Sequence, residues 1–167
     1  HDHIDTHLAD GGTLQEIRTA IDDSGLIIPT TIYLAGWFQP AGSEHDVAIS
    51  EVRRRLEQAA AVGAEFAIAG PPPGTADRDL GARHYAELLE LGKQYGVKPA
   101  FEYLGFVEDI NTIDDAIDII QRSGHPDATI VVDPFHCFRG GGPVASIGKL
   151  QGRQIAISHF NDATDAR

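Results

Sequence analysis

The sequence predicts an α/β protein built on a parallel sheet, carrying about five β/α units of an eight-stranded barrel. Three observations predict it. A strand-then-helix rhythm runs almost from end to end, with strands spaced roughly 25 to 40 residues apart, as right-handed parallel crossovers require. Segments such as 129–132 have a wholly apolar interior, the pattern of strands covered on both faces. Finally, chemically active groups stand where three successive strands end: Glu102 in PAFEYLG, Asp133 in IVVDPFHC and His159 in IAISHFND.

The elements follow in order. Thr13-Leu14-Gln15-Glu16 reads as a capping box opening a helix, with Leu14, Ile17 and Ile21 on one face and Gly25 as its stop. Residues 26–38, dense in Ile, Thr, Tyr and Leu, read as a buried strand ending at Gly36-Trp37. A helix over 47–62 places Ile49, Val52 and Leu56 at helical spacing, with Gly63 beyond it. Residues 65–70 form a short strand, and Pro71-Pro72-Pro73-Gly74 after it is a stiff connection. The next helix runs over 79–95 and stops at Gly96, leading into a strand over 97–104. Thr112 with Asp115 forms an acidic variant of the capping box, and Ile113, Ala116, Ile117 and Ile120 line the buried face up to Ser123-Gly124. After the strand at 129–132, Pro134-Phe135 forces a turn. The glycine-rich stretch Gly140-Gly141-Gly142-Pro143 then precedes a short helix over 145–150 and a last strand over 155–158.

Two architectures accommodate five such units, an open doubly wound sheet or part of a TIM (β/α)8 barrel of typically about 250 residues. No G-x-G-x-x-G follows the first strand, and the polar residues lie at several adjacent strand ends rather than at one crevice, which favours the barrel. On that reading residues 1–167 are a single domain incomplete at both ends, two strands preceding the first one seen and one following the last. The start at His1 and the absence of methionine agree with it.

Composition narrows the function. The chain has 167 residues, a formal net charge of −12 and 42% hydrophobic residues, which suits a soluble domain with a sizeable core. No Lys/Arg stripe exists to neutralise phosphates; the densest basic cluster, Arg53-Arg54-Arg55, reads as a solvated helix face, so no nucleic-acid partner is expected. The single cysteine, Cys137, excludes an internal disulfide and fits a reducing compartment. No run of about 18 apolar residues occurs and no signal peptide is visible, so the expected setting is cytoplasmic, with no membrane partner.

Taken singly, Glu102 reads equally as a charge escaping to solvent, Asp133 as a turn cap beside a surface His136, and His159 as a satisfied core histidine. Three such groups at successive strand ends converge on one face, and together they read as a site for one divalent ion. Two carboxylates and an imidazole suit Mn, Co, Zn or Mg and do not select among them.

At FEY, DPFH and HFND the chain resembles the xylose-isomerase-like barrels. That family includes sugar phosphate isomerase/epimerases, ketose 3-epimerases, inosose isomerases and dehydratases, and metal-dependent AP endonucleases. The resemblance implies Glu102, Asp133 and His159 as metal ligands, with Glu102 also one half of an acid/base pair, and His136 as a catalytic or substrate-contacting group. The family's second ligating Glu has no counterpart before the sequence ends after His159-Phe160-Asn161-Asp162. The implied reaction is isomerisation or epimerisation of a small sugar, sugar phosphate or inosose through an enediolate. A dehydratase on the same scaffold is the alternative, and a non-catalytic binding barrel a more distant one. An AP endonuclease would need histidines at the first two strand ends, which read AGWF and AGPPPG. Similarity to the family also implies a polyol or ketose substrate and a homo-oligomer.

Further residues are candidates for substrate contact or for other roles. Trp37, beside Phe38, is a candidate apolar wall against a sugar ring. Arg139, beside Gly140-Gly141-Gly142, is a candidate for an anionic substrate group. Asp162 is a candidate for orienting His159 or contacting substrate. His1, His3 and His7 in HDHIDTH look ligand-like, but no apolar strand precedes them and they read as a terminal or loop segment.

Overall fold

The computed structural model describes residues 1–162. Its centre is one five-stranded parallel sheet: β1 (Thr30–Leu34), β2 (Phe66–Ala69), β3 (Lys98–Phe101), β4 (Ile130–Val132) and β5 (Ile155–Ser158), in the spatial order of the sequence. That order excludes the doubly wound alternative, whose strand order reverses at a switch point. Successive crossovers of one hand in an unreversed order put every helix on the same face, the arrangement of a barrel wall.

The connecting helices are α3 (Ser43–Ala61), α4 (Arg78–Tyr95), α5 (Ile113–Ser123) and α6 (Pro134–Gly140), preceded by α1 (Asp2–Ala9) and α2 (Leu14–Ser24). Both capping boxes form as their sequences require: Thr13 and Thr112 each accept from the backbone three residues on, and Glu16 and Asp115 reach back. Gly25, Gly96 and Gly124 end their helices in the left-handed conformation that only glycine adopts without strain.

The two faces of the sheet are built differently. On the helix side Trp37, Leu56, Tyr85, Leu88, Phe101 and Ile119 belong to one large core. On the inner face Ile68, Ala100 and Val131 pack with Tyr33, Phe66 and Ile157 in a second, small cluster. Because strand side chains alternate, Glu102 shares the inner face with Ala100, Asp133 with Val131, and His159 with Ile157.

β3 and β4 are paired in register only at Phe101 and Ile130. Two buried tyrosines fill the gaps on either side of that contact. The Tyr85 hydroxyl lies 3.0 Å from the carbonyls of Pro99 and Thr129, and the Tyr103 hydroxyl donates to the Asp133 carbonyl at 3.1 Å. These phenols take the place of missing ladder bonds, so the strand ends bearing Glu102 and Asp133 are tied together from within.

Five expectations need correction. HDHIDTH is not a loop but most of α1, which buries Ile4 and packs Leu8 against the core, while Asp5 pairs with Arg54 of α3. The strand expected over 26–38 is only Thr30–Leu34, because Pro29 precedes it and Gly36, at φ 75°, turns the chain after it. The helix expected from 47 begins at Ser43. Pro134 does not force a turn; it occupies the first position of α6 with Asp133 as N-cap, where its missing N–H is no loss. The short helix over 145–150 is a 3₁₀ helix, Val144–Lys149.

Candidate functional site

Backbone bonds continue past the formal strand ends and fix the site residues to the sheet. The Glu102 N–H donates to the Ala69 carbonyl of β2, and the His159 N–H to the Val132 carbonyl of β4, both at 2.9 Å. Asp133 is held through its side chain as well: Oδ1 accepts from the Phe135 N–H at 2.8 Å, capping α6, which leaves Oδ2 for the site. Asn161, two residues beyond His159, donates its amide to that Oδ2 at 2.9 Å.

The groups converge. His159 Nδ1 stands 3.1 Å from Glu102 Oε1 and 3.5 Å from Asp133 Oδ2. His136 Nε2 lies 4.0 Å from each of the same two oxygens. Ligand atoms of Glu102, Asp133 and His136 all lie within 4.8 Å of one another, and all three residues are buried. Ligands about 2.1 Å from a common ion stand roughly 3.0 to 3.4 Å apart. Of the His159 separations, the one to Glu102 falls in that range and the one to Asp133 lies just beyond it, and those of His136 are longer.

A hydrogen bond distinguishes the two histidines further. His136 Nδ1 accepts from the Gly105 N–H at 3.2 Å, so in the neutral ring the proton sits on Nε2, facing the carboxylates. Burial pulls the His136 pKa below the ordinary range, opposed by the charge of Asp133 and reinforced by His159. A neutral ring with Nε2–H inward is a hydrogen-bond donor to whatever oxygen occupies the site. For Glu102, burial dominates and pushes its carboxyl up to about 7; the His159 charge opposes this and the Asp133 charge adds to it.

Beside this cluster, at the ends of β1 to β3, lies a cleft of about 310 Å³ whose walls include Tyr33, Gly70, Pro71, Phe106 and Gln39. The Phe106 ring meets His136 edge-on at 5.4 Å, so cleft and cluster adjoin.

The sequence-derived candidates divide accordingly. Glu102, Asp133, His136 and His159 come together. Trp37 does not: it is 0% exposed, packed against Phe38, Tyr85 and Phe101 on the helix side, and serves as core rather than as a wall for a sugar ring. The chain turns at Gly36 immediately after β1, which swings Trp37 to the helix side. Arg139 stands over the Phe135 ring at 5.7 Å in the last turn of α6, within a helix rather than a glycine loop. Asp162 is exposed at the edge of the described residues, and its neighbour Asn161 makes the contact to Asp133. Sequence reasoning missed Asn161 and Tyr33. Alternation from His159 points to the first; nothing local points to the second. Among the described residues the ends of β1 and β2 bring no histidine to the cluster, so the additional ligands expected of a repair endonuclease are missing there.

Comparison with known proteins gives these groups a family context. The model of a family described as xylose isomerase-like TIM barrel matches residues 2–167. An inosose isomerase of Bacillus velezensis is 28% identical over 126 residues, 70% of this chain and 44% of its own length. One from Halalkalibacterium halodurans is 34% identical over 80 residues, 47% of this chain and 28% of its own. The chain thus spans less than half the length of these curated relatives. Among solved structures, the IOLI protein, crystallised with a zinc atom, superposes with TM-score 0.86 at 20% identity over 96% of this chain and 60% of its own. An L-ribulose 3-epimerase superposes with TM-score 0.76 at 16% identity over 90% and 55%. At these identities the superpositions establish the fold.

Proposed function

The chain belongs to the xylose isomerase-like TIM barrel family, and from that premise we propose that the protein is a divalent-metal-dependent isomerase or epimerase of a small polyhydroxylated carbonyl compound. An inosose is the first substrate to test, since the curated relatives are inosose isomerases. The observation that carries the reading is the convergence of Glu102, Asp133 and His159 from the ends of β3, β4 and β5, at spacings that suit one ion.

Glu102, Asp133 and His159 would hold the metal. A bound divalent ion supplies Lewis acidity toward the substrate's carbonyl oxygen, making the neighbouring C–H more acidic. Glu102, held at the end of β3 facing the same site, is suited to take a proton from that carbon and return it. His136 presents Nε2–H to a substrate oxygen, its orientation fixed by Gly105. Asn161 and the α6 N-terminus hold the Asp133 carboxylate in place. The buried thiol of Cys137 fits a cytoplasmic setting.

The test is to incubate the full-length protein with an inosose in D₂O and follow the substrate by NMR. Deuterium entering beside the carbonyl, with conversion to an isomer and loss of both in Glu102→Gln, is the expected result. Loss of water from the substrate would make the protein a dehydratase. No exchange at any supplied metal would overturn the reading.

A further inference from the structure

β1 departs from regular pairing where it approaches the site. Ile32 is in register with Ile68 but Leu34 with Ala69, so β1 spends two residues where β2 spends one, and Tyr33 is the extra residue. Such bulges re-aim a side chain. Here the Tyr33 ring joins the inner-face cluster and lines the cleft beside the metal-binding groups. Its room there depends on Gly70: a Cβ at residue 70 would stand 2.0 Å from the Tyr33 hydroxyl. Among the described residues, no hydrogen-bond partner meets that hydroxyl, whereas the buried phenols of Tyr85 and Tyr103 are both engaged.

The rest of the cleft sets what the hydroxyl can meet. Its lining carries no charged side chain among the described residues; Pro71, Leu104, Phe106 and Val107 are apolar, and Gln39 offers an amide. The part of a ligand lying there is uncharged, with an apolar face for the prolines and Phe106 and an oxygen for Tyr33. Phe106 touches His136 and lines the same cleft as Tyr33, so one ligand can span cluster and cleft.

Building on the proposed function, we infer that Tyr33 is a specificity-determining residue whose hydroxyl, given space by Gly70, hydrogen-bonds a neutral hydroxyl of a polyhydroxylated ring while Glu102 and its partners act on the carbonyl end. The hydroxyl is suited to donate, because burial first and the Glu102 charge second push the phenol's pKa further up. A half-buried phenol in an apolar wall, once covered by a ligand, favours ligands that hydrogen-bond it over analogues lacking that oxygen.

The experiment uses the full-length protein with an inosose and its monodeoxy analogues. Tyr33→Phe is expected to raise KM roughly threefold to tenfold, the range of one neutral hydrogen bond, with metal content and Tm as in the wild type. One monodeoxy inosose should suffer the same loss on the wild type and no further loss on Tyr33→Phe, the non-additivity of a direct contact. Gly70→Ala, which displaces the hydroxyl without removing it, should reproduce the KM increase. Unchanged KM in Tyr33→Phe, or additive losses for every deoxy analogue, would overturn the assignment while leaving the isomerase reading standing. A wild type that binds metal and converts no polyhydroxylated ketone would overturn both.

Discussion

The two faces of this sheet are made of the same five strands and do opposite work. The helix-facing side is filled by large apolar groups; Trp37, Tyr85 and Phe101 are fully buried there with ring centroids within 6.0 Å, Phe101 meeting the other two edge to face. The inner face has a small cluster whose fully buried members are Ile68, Ala100 and Val131, then buried ionisable groups at the strand ends. The first face gains free energy from apolar burial. The second loses some by desolvating two carboxylates and two imidazoles, a cost that makes sense where a ligand repays it. Stability and chemistry are thus separated by the alternation of side chains along each strand, and substitutions can probe them one at a time.

The sharpest contrast comes from Glu102→Gln, which keeps the size and burial of the side chain but removes the charge and the base. Turnover of an inosose should fall by about 10³-fold or more, the scale of a lost general base combined with a lost ligand. Far-UV circular dichroism should remain that of the wild type. Equal loss of fold and activity would break the separation of faces.

Trp37→Ala is the converse probe. Truncating this fully buried ring should cost about 3–5 kcal/mol of unfolding free energy by denaturant titration. The KM of the folded fraction should be unchanged. A KM that rises with little stability loss would restore Trp37 as a substrate wall.

Smaller effects are expected at the β3–β4 seam. Tyr85→Phe leaves the carbonyls of Pro99 and Thr129 without their buried partner and should cost about 1–3 kcal/mol by the same titration. Tyr103→Phe should cost a comparable amount in stability and also weaken metal binding, since its hydroxyl supports the backbone of Asp133.

A further effect concerns pH. Because burial raises the Glu102 carboxyl above its ordinary value of 4.5 to about 7, the folded metal-free protein binds a proton that the unfolded chain has released in that interval. Its contribution to stability is complete below about pH 4.5 and is lost as pH rises through 7. Metal affinity should move the other way, strengthening over the same window as the proton leaves. Chemical denaturation of apo-protein at several pH values should show the fall in wild type and a shallower one in Glu102→Gln.

The degree to which these faces can be read from sequence differs for physical reasons. Thr13, Thr112 and the glycines after three helices are local signals, and each governs a boundary in the way its chemistry dictates. Glu102, Asp133 and His159 are legible because an apolar strand fixes the side on which the next polar residue emerges. The same rule fails once register is broken. Tyr33 depends on a bulge against β2, and Trp37 follows a glycine turn, so neither can be placed by counting. α1 was hidden by its His and Asp content, its stability coming from Ile4, Leu8 and the ion pair of Asp5 with a helix distant in sequence. Pro134 belongs equally to a turn and to the first turn of a helix, and only the Asp133 cap decides between them.

The central claim, that the strand-end groups of the inner face form one divalent-ion site, is tested most directly by elemental analysis of the full-length protein beside its Glu102→Gln and Trp37→Ala variants. The account predicts about one divalent ion per chain in the wild type and in folded Trp37→Ala, and none in Glu102→Gln. A wild type without metal after supplementation, or an undiminished content in Glu102→Gln, would contradict it.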